Sequence, residues 1–212
     1  LLLNTKGLKF KKVWRTLFVI TIAVPQFVSL LLMRNFLNDH GPLNGLLQTL
    51  HLTNGPIPFL TDPLWAKFSI IFVNMWIGIP FTMLVATGII MNLPTEQIEA
   101  AEIDGASKFQ IFKSITFPQI LLIMAPSLIQ QFIGNINNFN VIYFLTGGGP
   151  TNPEYYQAGS TDLLVTWLYK LTVSAKDYNL ASVIGILIFA ISATFSLLAY
   201  TRSSSFKEGA AK

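Results

Sequence analysis

The sequence contains no cysteine and little charge. None of the 212 residues is cysteine, which excludes disulfides, thiol catalysis and cysteine-based metal sites. Only 11% of the residues are charged and 52% are hydrophobic, whereas soluble domains usually carry about a quarter charged residues. Such a chain would expose too much apolar surface in water. The composition therefore predicts an all-α, polytopic transmembrane helical bundle in contact with membrane lipid.

Motifs of common enzymes and nucleotide-binding sites are also missing. No G-x-x-x-x-G-K-[ST] pattern occurs, and no Ser/His/Asp arrangement falls at a recognisable motif. The two histidines, His40 and His51, have no acidic partner at metal-ligand spacing and are interpreted as solvated loop residues. We predict no catalytic residue, metal or cofactor in this chain, no nucleic-acid partner, and no ATP hydrolysis by the chain itself.

Four apolar segments are long enough to cross a bilayer core, which takes about 20 residues of helix. They lie near residues 13–33, 68–91, 119–145 and 180–201. The chain opens on three leucines without an initiating Met, and these resemble the end of an earlier span. We therefore expect residues 1–212 to be the C-terminal part of a transmembrane domain whose N-terminal spans are missing.

Basic residues sort to one side of this four-span arrangement. Ten of the fourteen lie before the first span, within 92–118, or after the fourth span. These three segments share one side of the membrane if the span count is right. The positive-inside rule places that side in the cytoplasm.

Residues 92–118 form a polar, helix-favouring segment between two apolar ones. Gly105 suits a helix C-cap with left-handed backbone. Ser107 and Gln110 match the S-x-x-Q capping box of a second helix, and Pro118 should end or kink that helix. The pattern predicts two helices joined at a tight glycine corner. The segment's charges keep it out of lipid, so it is either a solvated loop or a docking surface for a soluble partner.

This segment also carries a family signature. E-A-A at 99–101, D-G-A at 104–106 and I-T-F-P at 115–118 resemble the pattern E-A-A---G---------I-x-L-P, with Phe117 in place of the usual leucine. That pattern marks permease subunits of binding-protein-dependent ABC importers, so the resemblance implies a type I ABC importer permease (MetI-like) fold. It also implies that 92–118 is a cytoplasmic coupling region that docks into an ATPase subunit, which would hold ATP and Mg²⁺. The docking candidates, carried over by position, are Glu99, Ala100, Ala101, Asp104 and Gly105.

Two spans carry polar faces with the same residue spacing. Intervals of four and three residues put each set on one side of a helix. The sets are Asn74, Gly78 and Phe81, with Ile77 beside them, in the second span, and Gln131, Asn135 and Asn138 in the third. Burying amides in lipid is costly unless they are paired or face a cavity. The matching faces therefore predict a shared polar centre between the two spans.

The alternative for any single amide is interhelical hydrogen bonding, in which Asn and Gln join packed helices. The third span has six amides within eleven residues, more than such bonding needs. They are Gln130, Gln131, Asn135, Asn137, Asn138 and Asn140. As a cluster, they favour a substrate site.

The polar centre has no formal charge. Between residues 68 and 145, every Asp, Glu, Lys and Arg falls in or beside 92–118. Amides pair with hydroxyls, and the rings of Phe81, Phe132 and Phe139 suit the apolar face of a sugar. An anionic substrate would call for Arg, Lys or a helix N-terminus. A neutral polyol is therefore the predicted substrate class.

Four stretches resemble the maltose/maltodextrin-type permeases, the MalF-like half of a permease pair. They are N-M-W-I-G-I-P-F at 74–81, N-I-N-N-F at 135–139, L-T-G-G-G-P at 145–150 and T-D-L-L-V-T-W-L-Y at 161–169. The resemblance implies sugar contacts at Asn74, Ile77, Gly78, Phe81, Gln131, Asn135 and Asn138. That family has Tyr at the position of Phe81 and Ser at that of Gln131. These departures bear on the exact sugar more than on the substrate class.

The resemblance further implies a function and a set of partners. The function is ATP-driven import of a neutral sugar or oligosaccharide, maltodextrin-like, by alternating access in the cytoplasmic membrane of a prokaryote. The partners are a second permease subunit (MalG-like), two ABC ATPase subunits and an extracytoplasmic sugar-binding protein.

Three other functions stay open. Amides also suit other neutral solutes, so the cargo of an ABC permease need not be a sugar. A secondary transporter commonly needs an intramembrane carboxylate or histidine, and the second to fourth spans contain neither. A purely structural membrane subunit would use the amides only for packing.

Overall fold

The computed structural model describes residues 22–202 and, before them, Val13 and Thr16. This part of the chain is built from helices joined by loops, with an isolated antiparallel bridge between Thr151 and Gly159. The helices are α1 (Gln26–Phe36), α2 (Pro42–Thr49), α3 (Pro63–Met91), α4 (Glu96–Ile103), α5 (Lys108–Ile111), α6 (Phe117–Ile136), α7 (Phe139–Leu145), α8 (Leu164–Lys170) and α9 (Tyr178–Arg202), with π-helical turns at Phe112–Thr116 and Leu171–Ala175.

Three helical segments in the described residues are long and apolar enough to cross a membrane. They are Pro63–Met91, Lys108–Ile136 and Tyr178–Thr201. Few of their side chains are buried within the chain, so most of their apolar surface is left for lipid or other subunits. The first predicted span, 13–33, lies partly outside the described residues. Its C-terminal part belongs to α1, which begins after Pro25.

The second predicted span starts earlier than residue 68 because of a strong cap. The Asp62 carboxylate accepts hydrogen bonds from the backbone N–H groups of Leu64 and Trp65, at 2.9 and 3.0 Å. Pro63 follows in the first turn, where its missing N–H is not needed. These features begin α3 at Pro63, so the helix extends about one turn further toward its N-terminus than the predicted span.

The third predicted span, 119–145, is two helices rather than one. α6 ends at Ile136, and α7 begins at Phe139 after a break at Asn137 and Asn138. The Asn138 side chain accepts a hydrogen bond from Val141 N at 3.2 Å. Because asparagine competes in this way with the helical backbone, it favours a new helix start over continuation.

Three small apolar clusters hold the helices in place. The largest joins α1, α3 and α7 through fully buried Leu30, Val73 and Leu145. A second packs the end of α3 against α6, and a third packs α8 against α9. These contacts fix α3 and α6 side by side, which places their polar faces next to each other.

Asp162 lies in a buried ion pair in the segment before α8. Its side chain does not cap that helix, because α8 begins after Leu163, whose N–H donates to Thr166 Oγ1 at 3.0 Å. The side chain of Asp162 is only 2% exposed and bonds to Lys170 Nζ at 2.6 Å. It also accepts from Gly159 N at 2.7 Å. The pair ties Gly159 to α8, and the Asp162 carboxylate lies against Gly148.

Replacing Gly148 by alanine should break this arrangement. Gly148 has φ +81°, and an added Cβ would overlap the Asp162 carboxylate. The left-handed backbone alone costs a non-glycine residue about 1–2 kcal/mol, and displacing a buried charge from its partner adds to that cost. We expect the apparent Tm of the detergent-solubilised protein to fall by about 5 °C or more.

Gly147→Ala is the matched control for this change. Gly147 also has a positive φ, +62°, but an added Cβ would meet only a backbone oxygen at 4.0 Å. It should therefore show the backbone cost alone and a clearly smaller fall in Tm. Equal losses for the two variants would contradict a role for the Asp162–Lys170 pair.

Candidate substrate groove and coupling elbow

A groove of about 640 Å³ lies between α3 and α6 and carries polar side chains from both helices. It contains all seven residues predicted as sugar contacts. They are Asn74, Ile77, Gly78, Phe81, Gln131, Asn135 and Asn138. The residues that line it include no Asp, Glu, Lys or Arg. The structure therefore brings the two predicted polar faces together in one uncharged cavity.

Three asparagines form a hydrogen-bonded network at the centre of the groove. Asn74 Nδ2 donates to Asn135 Oδ1 at 2.8 Å, and Asn138 Nδ2 donates to Asn74 Oδ1 at 3.0 Å. Asn135 Nδ2 in turn donates to the backbone oxygen of Gln131 at 2.9 Å. The network spans both helices and fixes the direction of each amide.

The network leaves hydrogen-bonding capacity for a ligand. A carboxamide has two N–H donors and an oxygen with two lone pairs. Asn74, Asn135 and Asn138 each use one donor and one lone pair within the described chain. Each amide therefore still has one donor and one acceptor position, the combination that pairs with a hydroxyl group. Because the amides are already oriented, little side-chain entropy is lost when a ligand binds.

Thr82 is a groove residue that the sequence reasoning missed. Its hydroxyl donates to Gln131 Oε1 at 2.9 Å and holds that long amide at the groove wall. Gln131 Nε2 lies 3.4 Å from Ser127 Oγ on the same helix. The signal was present in the sequence, since Asn74, Gly78 and Thr82 follow one another at intervals of four residues.

The six amides of the predicted cluster do not all line the groove. Asn137 donates to Ser192 Oγ at 3.0 Å and joins α6 to α9. Asn140 donates to Gln26 Oε1 at 3.2 Å and joins α7 to α1. Gln130 lines a separate cavity against α9. Interhelical bonding, the alternative considered for single amides, therefore describes Asn137 and Asn140, and the groove keeps Gln131, Asn135 and Asn138.

Of the three aromatic residues considered for the sugar face, only Phe81 lines the groove. Half of its side chain is exposed. Phe132 packs on Phe195 of α9, with ring centroids 5.8 Å apart. Phe139 stacks on Tyr143 at 4.9 Å and belongs to an aromatic cluster between α7 and α8. The groove thus combines one exposed ring with an amide network.

The elbow, defined here as residues 95–111, has the helix–corner–helix form that the sequence predicts. α4 ends at Ile103, and Gly105 follows with φ +79°. Ser107 N donates to Gln110 Oε1 at 2.8 Å, and Gln110 N donates to Ser107 Oγ at 3.4 Å. The predicted left-handed glycine and the capping box are both confirmed.

The elbow is continuous with the groove. α5 passes through the π-helical turn Phe112–Thr116 directly into α6, so one helical segment runs from Lys108 to Ile136. Pro118 was expected to end or kink this helix. It does not end it, and the wider π-helical turn lies directly before it. Gln119 Nε2 also donates to Gln97 Oε1 of α4 at 2.6 Å. The helical segment that begins in the elbow therefore also presents Gln131 and Asn135 to the groove.

The predicted docking residues are accessible on the elbow. Glu99, Ala100, Asp104 and Gly105 are exposed, and Ala101 is half-buried. Two apolar residues that the sequence reasoning passed over lie on either side of the corner. Ile103 is 86% exposed and Phe109 is 70% exposed. Neither side chain is covered by the part of the chain that the structure describes.

The helical bundle and its polar groove define a class, the membrane-embedded transport subunits. Residues 2–205 match the family model described as "Binding-protein-dependent transport system inner membrane component", and the chain belongs to this family. The family match and the three membrane-length helices together make it a membrane component.

Several curated proteins are similar to this chain. The galactooligosaccharides transport system permease protein GanP of Bacillus subtilis (strain 168) is 39% identical over 211 residues, which cover 99% of this chain and 50% of that protein. The maltodextrin transport system permease protein MdxF of the same strain is 38% identical over 213 residues, covering 97% and 49%. The maltose/maltodextrin transport system permease protein MalF of Vibrio cholerae is 37% identical over 199 residues, covering 91% and 37%. The chain spans about half the length of the first two relatives.

A solved structure shares the fold. It is a bacterial ABC transporter involved in the import of the acidic polysaccharide alginate, and it matches with a TM-score of 0.79 and 25% identity. The match covers 93% of this chain and 66% of that one. The predicted ABC importer permease (MetI-like) fold is therefore confirmed.

Proposed function

We propose that this chain is a permease subunit of an ATP-driven importer that moves a neutral sugar or oligosaccharide, maltodextrin-like, into the cytoplasm by alternating access. The observation that carries the proposal is the uncharged groove between α3 and α6, with its preoriented network of Asn74, Asn135 and Asn138. The similarity to permeases named for maltodextrin and galactooligosaccharides supports the same cargo class.

The chemistry of the groove favours a neutral polyol over an ion. A sugar hydroxyl both donates and accepts, and each of the three asparagines offers one free donor and one free acceptor position. The exposed ring of Phe81 suits the C–H face of a sugar ring. Individual neutral hydrogen bonds contribute only about 0.5–1.5 kcal/mol each, so cargo can be held and then released.

The partners of the proposed function follow from the elbow and from the open groove. Two ABC ATPase subunits bind ATP and Mg²⁺, and the elbow docks on one of them through Glu99, Ala100, Ala101, Asp104 and Gly105. A second, MalG-like permease subunit closes the groove, which is open in the isolated chain. An extracytoplasmic sugar-binding protein delivers cargo to the outer side, and the basic segments and the elbow face the cytoplasm.

Energy reaches the groove through the helical segment Lys108–Ile136. ATP can shift the permease between arrangements only if it binds one of them more tightly. In this proposal, ATPase closure moves the elbow, and the continuous helix transmits that movement to Gln131 and Asn135. The two permease halves then rock about the groove and release the cargo held by the asparagine network.

Sugar-dependent stimulation of ATP hydrolysis tests the proposal. The complex of this chain with its second permease, ATPases and binding protein is reconstituted and assayed with maltodextrins, other neutral glycosides and other neutral solutes. We expect stimulation by one group of neutral glycosides. Stimulation only by another class of neutral solute would show that the cargo is that solute and not a sugar. ATPase activity that responds to no solute would overturn the proposal.

A further inference from the structure

A second link between α3 and α6 lies on the elbow side of the asparagine network. Thr82 Oγ1 donates to Gln131 Oε1 at 2.9 Å, and both side chains line the groove. Beyond Thr82 along α3, the groove is lined by Met83 and Ala86, and Ala86 packs on the apolar cluster that contains Leu93. Thr82 and Gln131 are therefore the last polar side chains of the groove in this direction.

The length of the Gln131 side chain suits the spacing of its partner on α3. The two helices run antiparallel, and Asn135 of α6 bonds to Asn74 of α3. Four residues before Asn135, or one helical turn, Gln131 is level with Gly78, which has no side chain to bond. Its partner Thr82 is one turn further along α3, about 6 Å away at 1.5 Å per residue. Glutamine extends its amide toward this partner, whereas asparagine would end one carbon earlier.

The Thr82 hydroxyl restricts an otherwise flexible side chain. Glutamine has three rotatable side-chain bonds and loses much rotamer freedom when it is ordered. Gln131 Nε2 lies 3.4 Å from Ser127 Oγ, which is a long hydrogen bond, so the shorter bond from Thr82 is the main constraint. The held amide keeps one N–H and one lone pair for a ligand. It therefore offers the same two positions as each asparagine of the network.

We propose that Thr82 is a positioning residue for cargo binding, and that it acts by holding Gln131 at one end of the open space over Gly78. An added Cβ at Gly78 would meet nothing within 4 Å, and the asparagine network borders this space at its other end. The inference rests on the proposed function and deepens it. Since Thr82 acts through Gln131, its effect on cargo binding must disappear when the amide no longer reaches the hydroxyl.

Uptake kinetics of the assembled complex in proteoliposomes test this role. The probe is the sugar that stimulates ATP hydrolysis most strongly among maltose, maltotriose, lactose and cellobiose. Thr82→Val keeps the shape of the side chain but removes the hydroxyl, and we expect KM to rise about three- to tenfold with kcat changed less than about twofold. Thr82→Ser keeps the hydroxyl and should restore the natural KM to within about twofold. Gln131→Asn keeps the amide but shortens it, so its KM should rise as in Thr82→Val.

Thr201→Val is the matched control. The Thr82 hydroxyl also lies 3.1 Å from the backbone oxygen of Gly78, four residues earlier. Thr201 makes the same kind of bond to Leu197 O at 2.8 Å in α9 and does not line the groove. We expect Thr201→Val to leave KM unchanged. An equal rise in both variants would assign the effect to the lost helical bond and overturn the inference.

The double variant Thr82→Val/Gln131→Asn is the decisive measurement. We expect its KM to equal that of Gln131→Asn, because the hydroxyl has no amide left to hold. A further rise of about threefold or more would show that Thr82 acts independently of Gln131. That result, or an unchanged KM in Thr82→Val, would overturn the inference and leave the proposed function standing. Stimulation of the natural complex by none of the four sugars would count against the proposed function and this inference together.

Discussion

Replacing Asn135 by alanine should abolish most sugar uptake and leave the assembled complex intact. The change removes one cargo contact and breaks the bond to Asn74 at 2.8 Å, so the Asn74 amide is oriented only by the bond from Asn138 at 3.0 Å. A neutral hydrogen bond is worth about 0.5–1.5 kcal/mol, and the change removes both the cargo contact and the bond to Asn74. Together these effects should lower kcat/KM for uptake by at least about tenfold. The initial rate of radiolabelled sugar uptake into proteoliposomes, measured over a range of sugar concentrations, gives this kcat/KM.

Asn137→Ala is the matched control for this change. Asn137 lies two residues further along the chain, but its amide bonds to Ser192 Oγ at 3.0 Å and joins α6 to α9. We expect this variant to lower thermal stability or the yield of assembled complex and to leave KM unchanged. The reverse pattern, with Asn135→Ala failing to assemble and Asn137→Ala losing uptake, would show that the asparagine network holds the helices together and does not bind cargo.

Replacing Gly105 by valine should uncouple ATP hydrolysis from transport. Gly105 has φ +79°, a backbone region that β-branched residues avoid, so valine forces the corner into another shape. The elbow then presents Ile103 and Phe109 at a changed angle to its partner. We expect sugar-stimulated ATPase activity to fall at least about tenfold in membranes that still contain the chain.

Ala106→Val places the same side chain on the next residue, which is not among the described residues with positive φ. It should keep most of the stimulation, because the corner geometry is preserved. If Gly105→Val behaved like Ala106→Val, the left-handed corner would have no part in coupling. Co-purification of the ATPase with each variant distinguishes lost docking from lost transmission.

The elbow was predictable because its determinants are local. A left-handed glycine and a capping box each involve residues within three positions of one another, and Gly105, Ser107 and Gln110 all behave as expected. The exposure of Ile103 and Phe109 was not predicted. Their side chains look like ordinary core residues until the fold shows that nothing in the described chain covers them.

The groove was predictable in outline and not in detail. Helical periodicity brought Asn74 and Asn135 to facing surfaces, and this needed no knowledge of the loops. The contact between Gln26 and Asn140 could not be foreseen, since it depends on α1 packing beside α7 through contacts distant in the sequence. The break at Asn137 and Asn138 was also missed, because apolar runs on both sides of these residues suggested a single span.

The amide count was a weaker guide than the amide positions. Six amides in eleven residues suggested one site, but a helix turns by about 100° per residue and spreads such a run over all its faces. Asn137 faces α9, whereas Asn135 faces α3. The spacing of four and three residues identified the members that share a surface, and the structure agrees with that subset.

The charge of the transported cargo tests the central claim most directly. Proteoliposomes containing the full complex are supplied with ATP and with radiolabelled neutral or uronate-type acidic oligosaccharides of equal length. The solved structure that shares this fold comes from an importer of an acidic polysaccharide, so the fold alone does not fix the answer. The uncharged lining of the groove predicts ATP-dependent accumulation of the neutral sugar only. Preferential accumulation of the acidic sugar would contradict the assignment of the groove.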